Sequence, residues 1–407
     1  MRLVQNVSDI LRSNATKDLL LGCNSRSFAA LRMTASALRT TAGIVALAAS
    51  VTGAQSGMPR QTGDPITAGG NGTIYVGTYA RNILVLDEAT MQVRDTIKSG
   101  VGIPELSLSF DRKHLYVTDP GNEKLEIVDL ATKKSSGVFT LSTDSTKVRM
   151  WGFSLDPRER FAVLVVKAYT KKLDRYEVSA PTLLRYDLAK HQVTDTIPWP
   201  KGEEREFAQI IFSPKGDLMY FFTNDDVLIY DANTLKQVDR WEISRTLFEE
   251  GLGRIAFGFP YDVYEEPGFY TGLFRTTDPV NHRTQMGVAR MDLVNRQLDF
   301  YALGPSQGVS FRLTPDRKRA YGIHSEVGNY QFWTFDLESR RVVGKTEFPG
   351  RPRMGLIVSS NGTQLYITTA GATIDRYATA GFQHLGQINL GADMTNVILV
   401  PRSPTQK

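Results

Sequence analysis

The chain has 407 residues, of which 41% are hydrophobic and 22% are charged, the composition of an ordinary globular protein. Six of its 48 basic residues and two of its 43 acidic residues lie within positions 1–54, so the remainder has a formal charge of +1 and gives no case for a nucleic-acid partner. No run reaches the roughly 20 apolar residues that span a bilayer, so we expect no membrane span.

The first predicted element is a secretory signal peptide at residues 33–54. Arg32 and Arg39 supply positive charge ahead of Thr40–Val51, an uninterrupted stretch of apolar or small residues. Small residues follow and permit cleavage after about Ala54. We therefore expect the mature protein to be periplasmic or secreted.

Residues 1–32, upstream of that signal, form a doubtful N-terminal extension that has two explanations. The segment is either an over-extended reading frame whose true start is Met33, or part of a genuine long leader. The single cysteine, Cys23, falls here, so the mature chain has no thiol for a disulfide, a metal thiolate or the attachment of haem c. Residues 55–69 are predicted to form a short linker.

One strand pattern returns along residues 70–402. An apolar strand leads through a Pro/Asp/Gly turn into a Tyr-bearing strand, and a third strand then ends in Asp before a short turn. Intervals of 39 to 61 residues separate the copies, close to the length of a four-stranded propeller blade. The sequence therefore predicts an all-β fold, a seven-bladed β-propeller. We assign the terminal Asp to Asp87, Asp129, Asp187, Asp231, Asp292, Asp336 and Asp375.

The closure of this propeller is predicted from the end of the chain. Blade one has no innermost strand in sequence order, whereas Thr395–Val400 is an apolar strand with no blade after it. We expect this C-terminal strand to pair with blade one, which would hide two sheet edges. The recurrent Asp suits a side-chain-capped turn, so we assign it a structural rather than a catalytic role.

Two blades break the period. Blades three and five exceed it by roughly 15 residues, and we place both insertions between the second and third strands, at about Lys167–Pro181 and Arg275–Met286. In a propeller this loop emerges on the same face as the loop that leads into the next blade, around the central channel. Long loops on one face are typical of a recognition surface.

Residues that could carry out catalysis are not grouped in this sequence. The five histidines fall in five blades, none is predicted to lie beside an acidic cluster, and nucleophile-elbow and phosphate-loop motifs are absent. We predict no catalytic residue, no bound cofactor and no metal site in this chain.

Trp151 and Phe153 either face the channel mouth or belong to the core. Cations in the loops before the first strands, joined by Arg81 from blade one, form either a basic rim or a mixed solvated surface: Lys147, Arg149, Arg205, Arg254, Arg351 and Arg353.

Two levels of resemblance to known proteins are present. Leu115–Asp119 is similar to the Tyr-Val-Thr-Asn (YVTN) repeat of many secreted bacterial propellers. Phe153–Pro157, Leu173–Val178 and Pro181–Asp187 resemble the β subunit of quinohemoprotein amine dehydrogenase. The chain end, Gly391–Thr395 followed by Val400-Pro-Arg, is similar to the C-terminus of that subunit.

This resemblance implies a periplasmic complex that oxidises primary amines. In that family a small subunit carries cysteine tryptophylquinone, a dihaem cytochrome subunit carries haem c, and the propeller subunit holds no cofactor but helps to wall the substrate cavity. Whether this chain counts as part of an enzyme therefore depends on its partners. Our partner-facing or cavity-facing candidates are Trp151, Asp174, Tyr176, Glu177, Arg353, Asp393 and Met394.

Two other functions stay open from the residues alone. The first is a stand-alone exported binding or scaffold propeller that recognises a peptide, a glycan or an envelope protein. The second is a self-sufficient propeller enzyme such as a lactonase, against which the lack of a clustered metal or haem motif argues.

Overall fold

The computed structural model describes residues 68–402, apart from 104, 206–207, 224, 244–250, 252, 254, 259–261, 279 and 281. The predicted extension, the signal peptide, most of the linker and Arg254 therefore lie outside the described residues. Within the described part of the chain, no helix is long and apolar enough to cross a membrane.

The described residues form seven antiparallel sheets. The first contains β1 (Thr73–Thr78), β2 (Asn82–Asp87) and β3 (Gln92–Lys98). The second contains β4 (Glu105–Leu108), β5 (His114–Thr118), β6 (Lys124–Asp129) and β7 (Lys134–Thr140). The third contains β8 (Thr146–Leu155), β9 (Phe161–Lys171), β10 (Tyr176–Val178), β11 (Thr182–Asp187) and β12 (Gln192–Ile197). A single 3₁₀ turn, Pro200–Gly202, follows it.

The remaining four sheets have four strands each. The fourth contains β13 (Gln209–Phe212), β14 (Leu218–Phe222), β15 (Val227–Asp231) and β16 (Gln237–Trp241). The fifth contains β17 (Ile255–Phe257), β18 (Phe269–Thr277), β19 (Thr284–Asp292) and β20 (Gln297–Pro305). The sixth contains β21 (Arg312–Leu313), β22 (Arg319–Glu326), β23 (Asn329–Asp336) and β24 (Arg341–Glu347). The seventh contains β25 (Gly355–Val358), β26 (Gln364–Thr368), β27 (Thr373–Ala378) and β28 (His384–Asn389).

The last strand of the chain, β29 (Met394–Val400), joins the first sheet. It pairs antiparallel with β1, in a register that opposes Thr73 to Val400 and Val76 to Val397. The strand order is β29-β1-β2-β3, so β29 occupies the position that the sequence leaves empty in this sheet.

Local sequence explains why the strands form and where they turn. The second strand of the fourth sheet, Leu-Met-Tyr-Phe-Phe, consists of apolar and aromatic residues that favour a strand buried on both sides. Before it, the N–H of Gly216 donates to the carbonyl of Ser213 at 2.8 Å. Gly216 has a φ of 63°, a conformation that glycine adopts without steric cost.

The turns after the third strands confirm six of the seven predicted Asp residues. In the fourth sheet, Oδ1 of Asp231 accepts the N–H of Thr234 at 2.7 Å, and Asp87, Asp129, Asp187, Asp292 and Asp336 make equivalent bonds. The seventh assignment is wrong. Asp375 lies in the middle of β27, and the equivalent turn position is Ala378, which pairs with the first residue of β26 as Asp231 pairs with Leu218.

The extra length of the fifth sheet is also placed differently from our prediction. The insertion in the third sheet does lie between its second and third strands, where it carries β10. In the fifth sheet, by contrast, the second and third strands are simply long, and further described residues lie at 258 and 262–268, between the first and second strands. The sequence shows only that this blade is longer than the repeat. Long strands together with a loop between the first and second strands lengthen the blade just as an insertion between the second and third strands would.

The core is divided among the interfaces between neighbouring sheets. One cluster joins Val85 of the first sheet to Leu115 of the second, another joins Leu125 of the second to Leu164 of the third, and a third joins Val163 to Ile210 of the fourth. Clusters between the later sheets continue this order, and the largest includes residues of the fifth, sixth, seventh and first sheets. Four-stranded sheets that pack face to face in sequence order form a β-propeller.

Candidate partner-binding face

The meander of each sheet sends its connections to two opposite faces. Loops between the second and third strands leave on one face, which we call the hairpin face, together with the loops that lead into the next sheet. Turns between the first and second strands leave on the other, which we call the turn face. The hairpin face is built from the described residues of the second-to-third-strand loops, at 79–81, 119–123, 172–181, 223, 225–226, 278, 280, 282–283, 327–328 and 369–372.

The turn face is crossed by a segment that the sequence did not reveal. We call residues 262–266 the bridging segment. Oδ2 of Asp262 accepts the N–H of Leu313 in the sixth sheet at 3.0 Å, and the hydroxyl of Tyr264 donates to the carbonyl of Val358 in the seventh at 2.9 Å.

Arg112 of the second sheet completes these contacts, because its Nη2 donates to the carbonyl of Val263 at 2.6 Å. Burial raises the pKa of the Asp262 carboxyl and that of the Tyr264 hydroxyl. The bridging segment, which belongs to the fifth sheet, thus contacts the second, sixth and seventh sheets on the turn face.

The insertion of the third sheet is the most exposed part of the hairpin face. β9 continues past the core and pairs with β10, with Tyr176 opposite Lys171 and Val178 opposite Tyr169. Leu173, at the tip, is fully exposed, and the Tyr176 side chain is 62% exposed. Neither side chain is shielded by its own sheet, so both are available to another molecule.

Apolar side chains project from other hairpin-face loops as well. Val280 in the fifth sheet is 82% exposed and Val327 in the sixth is 93% exposed, and Tyr79 in the first sheet is exposed too. Among the described residues, the four most exposed large apolar side chains all belong to this face: Leu173, Val327, Val280 and Tyr176. Exposed apolar groups concentrated on one face are typical of an interaction surface.

The predicted site residues fall in three places. Trp151, Asp174, Tyr176 and Glu177 all belong to the third sheet and are exposed, Trp151 as the extra residue of a bulge in β8. The two acidic members are paired with their own neighbour, because the Arg175 guanidinium lies 3.1 Å from Asp174 and 3.0 Å from Glu177.

The other candidates lie away from that sheet. Arg353 is exposed in the loop between the sixth and seventh sheets. Asp393 is exposed beside the first hairpin-face loop, where its carbonyl accepts the N–H of Tyr79 at 2.9 Å. Met394 does not fit the prediction, since it is 2% exposed and its side chain packs in the core. Its apolar character at the start of β29 explains this burial.

The cations before the first strands form a mixed surface rather than a continuous basic rim. Glu123 lies 3.3 Å from Lys147 and 3.7 Å from Arg149, and Glu203 lies 2.9 Å from Arg205. Phe153 belongs to the core, where its ring packs against that of Tyr116 at 5.3 Å between centroids. The structure therefore favours a mixed solvated surface for the cations and a place in the core for Phe153.

His114 contradicts the expectation that no histidine lies beside an acidic cluster. His114 lies on the turn face, with Nδ1 2.9 Å from Glu159 and Nε2 3.6 Å from Asp129. Asp111 lies close enough that its carboxylate, His114 and Glu159 form a group that could hold a cation. The same carboxylates already accept bonds from Ser109 and Tyr116, which suits a contact between the second and third sheets. The sequence did not indicate this group of side chains, because Glu159 belongs to a different blade from His114.

A groove of about 430 Å³ lies between the sixth and seventh sheets. Phe348 and Tyr377 supply apolar lining, and Nε2 of His384 lies 3.1 Å from Oδ1 of Asp375 at its edge. Its volume is within the range of small-ligand sites, and its lining mixes aromatic side chains with charged and polar ones, among them Glu347, Arg351 and Gln387.

No protein-family model and no curated protein matches this chain. Among solved structures, it is similar to a functionally unknown protein from Desulfotomaculum acetoxidans, with 15% identity, a TM-score of 0.51, and coverage of 82% of this chain and 100% of that one. A β-propeller domain of Cps50 (Swd1) from Myceliophteria thermophila has 14% identity, coverage of 78% and 92%, and a TM-score of 0.47.

A third similar structure is apo AztD from Citrobacter koseri, with 12% identity, coverage of 81% of this chain and 98% of that chain, and a TM-score of 0.46. At these identities the similarity concerns the fold alone.

Proposed function

We propose that this chain is an exported, non-catalytic propeller subunit that binds a partner protein through its hairpin face. The observation that carries the proposal is the concentration of the most exposed large apolar side chains, led by Leu173 and Val327, on the loops of that one face. Burial of such groups is the main favourable term in protein association, at about 25 cal/mol per Å².

In this proposal the seven sheets are seven blades of one ring that β29 closes. Support comes from contacts between the first sheet and both of its neighbours. The N–H of Leu106 donates to Oδ1 of Asn396 in β29 at 3.1 Å, and Nδ2 of Asn396 donates back to the carbonyl of Leu106 at 3.0 Å. On the other side, Glu88 accepts the N–H of Ser360 from the seventh sheet at 2.8 Å.

The partner is proposed to be the quinone-bearing subunit of an amine dehydrogenase-like periplasmic complex that also contains a dihaem cytochrome. The resemblance of the third-sheet insertion and of the chain end to the propeller subunit of that family supports this assignment. The cysteine content agrees with it, because a chain from which the segment with Cys23 is removed can form neither cysteine tryptophylquinone nor a thioether link to haem c, and both would belong to other chains. Export is supported by the signal-like pattern of residues 33–54.

The test is affinity purification of the full chain from its native periplasm, followed by gels stained for protein-bound quinone and for haem. We expect a small quinone-positive band and a haem-positive band beside the propeller. Changing both Trp151 and Tyr176 to Ser should remove the partners while the thermal unfolding midpoint stays within a few degrees. Val238→Ser, an equally exposed apolar position on an outer strand, is the matched control. A propeller that purifies alone, with neither stain, contradicts the proposal.

The alternative of a stand-alone binding propeller is favoured by the groove beside Tyr377. In that case the wild-type protein would purify without partners, and soaking with peptides or oligosaccharides would shift the NMR or fluorescence signals of groove residues. Substituting Phe348 by Ala would then abolish the shift, whereas the Trp151 and Tyr176 variants would leave it intact.

A further inference from the structure

The strand pairing of the third sheet sorts its projecting residues onto two faces. In antiparallel pairs, directly opposite residues point to the same side, and alternate residues along a strand share that side. Tyr176 lies opposite Lys171, Val178 opposite Tyr169, and Arg149 opposite Lys167. All of these residues therefore share one side.

We call that side the basic–aromatic face. Its members are Lys147, Arg149, Lys167, Tyr169, Lys171, Tyr176 and Val178. The guanidinium of Arg149 lies over the ring of Tyr169, 5.3 Å from its centroid, which agrees with the shared side that the register indicates. Four cations thus alternate with two aromatic rings and a valine on a sheet that projects beyond the core.

The opposite side of the same hairpin is electrically balanced. Glu177 lies 3.2 Å from Lys172 and 3.0 Å from Arg175, and Asp174 lies 3.1 Å from Arg175. The side chain of Glu177 is opposite Thr170, not among the cations. The basic–aromatic face therefore carries more positive charge than the opposite side, with Lys171 beside Tyr176, although Glu123 offsets part of the charge of Lys147 and Arg149.

We propose that the basic–aromatic face binds an acidic surface of the partner protein, and that this contact selects and orients the partner. The inference rests on the proposed function, since it requires a partner at the hairpin face. Complementary charge accelerates encounter and fixes the orientation of docking, while exposed Tyr176 and Val178 supply apolar contact once the surfaces meet. Under this proposal Asp174 and Glu177, which were named from the sequence, stabilise the hairpin and do not contact the partner.

A protein is a better fit than a nucleic acid. Glu123 lies within 4 Å of both Lys147 and Arg149 at the inner edge of the face and offsets part of their charge, so the face is less basic than a phosphate backbone normally requires. Nucleic-acid binding normally draws on an extended basic surface, whereas the chain beyond residue 54 carries a formal charge of only +1.

The first experiment places a photo-crosslinking amino acid, p-benzoylphenylalanine, at single positions of the full chain in its native host. Position 176 probes the basic–aromatic face, position 177 the opposite side of the same strand, and position 327 a distant hairpin-face loop. We expect position 176 to crosslink efficiently, position 177 poorly, and the crosslinked partner peptide, sequenced by mass spectrometry, to contain several Asp or Glu residues.

The outcomes separate the two proposals. Crosslinks from position 327 but not from 176, or a neutral or basic peptide at 176, would overturn the acidic-partner inference and leave the partner-binding function intact. An absence of crosslinks at every position would overturn the proposed function itself.

A second experiment measures how much the charge of this face contributes to binding affinity. The acidic peptide found by crosslinking is synthesised with a fluorophore, and its affinity for the full chain is measured by anisotropy at 50 and 300 mM NaCl. We expect Lys171→Glu to weaken binding about tenfold at the lower salt concentration and much less at the higher one, because salt screens exposed charges. Lys236→Glu, an exposed lysine after the third strand of the fourth sheet, should bind as the wild type does. Equal loss in both variants, or tighter binding of a labelled 20-nucleotide oligothymidine than of the peptide, would overturn the inference.

Discussion

Glu88 accepts the backbone N–H of Ser360 at 2.8 Å, which joins two turns that are 272 residues apart in the chain. The same carboxylate accepts the N–H of Gly72 at 2.7 Å, the hydroxyl of Tyr366 at 3.0 Å, and the hydroxyl of Ser360. Glu88 is fully buried, so this one side chain connects the first and seventh sheets without contact with water. Burial and the neighbouring Glu88 raise the pKa of Tyr366, which therefore stays a hydroxyl donor at any ordinary pH.

The first prediction concerns this contact. Glu88→Gln should reduce the free energy of unfolding by about 3 kcal/mol, because an amide brings a donor to a site already filled with donors and leaves buried groups unpaired. Chemical denaturation followed by tryptophan fluorescence measures the loss. Glu338→Gln, an exposed glutamate 3.1 Å from Lys318, is the control and should cost less than about 1 kcal/mol. Equal stability of the two variants would show that the joint between the sheets lies elsewhere.

The corrected repeat predicts a stabilising substitution. Ala378 occupies the turn position at which the other sheets carry Asp, and its N–H donates to the carbonyl of Gln383 as that of Asp231 does to the carbonyl of Lys236. Ala378→Asp should therefore add a side-chain acceptor for the turn and raise stability by about 0.5–1 kcal/mol, the size of an ordinary cap. Asp231→Ala should lower it by a similar amount. A thermal melt of both variants checks the pair, and a destabilised Ala378→Asp protein would contradict the assignment.

The turn aspartates predict a loss of stability in acid. The backbone N–H of Thr234 holds the pKa of Asp231 below its ordinary value, and that of Lys190 does the same for Asp187. A lowered pKa in the folded state means that stability is fully present above the unfolded-state pKa of about 3.9 and is lost as the pH falls below it. Urea midpoints measured from pH 6 to pH 3 should decline below about pH 4. Asp231→Asn should flatten part of that decline; an unchanged profile would assign the acid sensitivity to other groups.

The bridging segment predicts a local effect. Tyr264→Phe removes the donor to the buried carbonyl of Val358 and should cost about 1 kcal/mol. Hydrogen exchange should rise in residues 262–266 more than elsewhere, because that contact holds the segment against the seventh sheet. Tyr79→Phe, at an exposed tyrosine of the hairpin face, is the control and should change neither quantity. Unchanged exchange in the Tyr264 variant would mean that Asp262 and Arg112 hold the segment without it.

Sequence reasoning succeeded where the physics is local. Short runs of apolar residues define strands, and an Asp three residues before a donor such as Thr234 forms its turn without help from the rest of the chain. It failed at Asp375 because an acidic residue in a strand and one at its end look alike when the flanking turn lacks the usual partners. It also missed the bridging segment, because nothing near Tyr264 in the sequence indicates its acceptor in another sheet.

The residues of the candidate site also differ in whether the local sequence could reveal them. The exposed insertion with Tyr176 could be located from the broken period, and the resemblance pointed to the same segment. Only the register could separate Lys171 and Tyr176 from Glu177, since neighbouring residues on one strand point to opposite sides. Met394 was named from the resemblance of the chain end, and its burial depends on packing against residues of other sheets, which the sequence does not reveal.

By itself, therefore, the sequence determined the repeated strand unit, its turns and the position of the long insertion, because each depends on contacts between residues close together in the chain. Tertiary structure decided which units touch, as at Glu88 and Ser360, which end of the sheets is crossed by the segment around Tyr264, and which side of the insertion carries more positive charge. Those properties depend on how whole sheets pack, and no local pattern of residues specifies that packing.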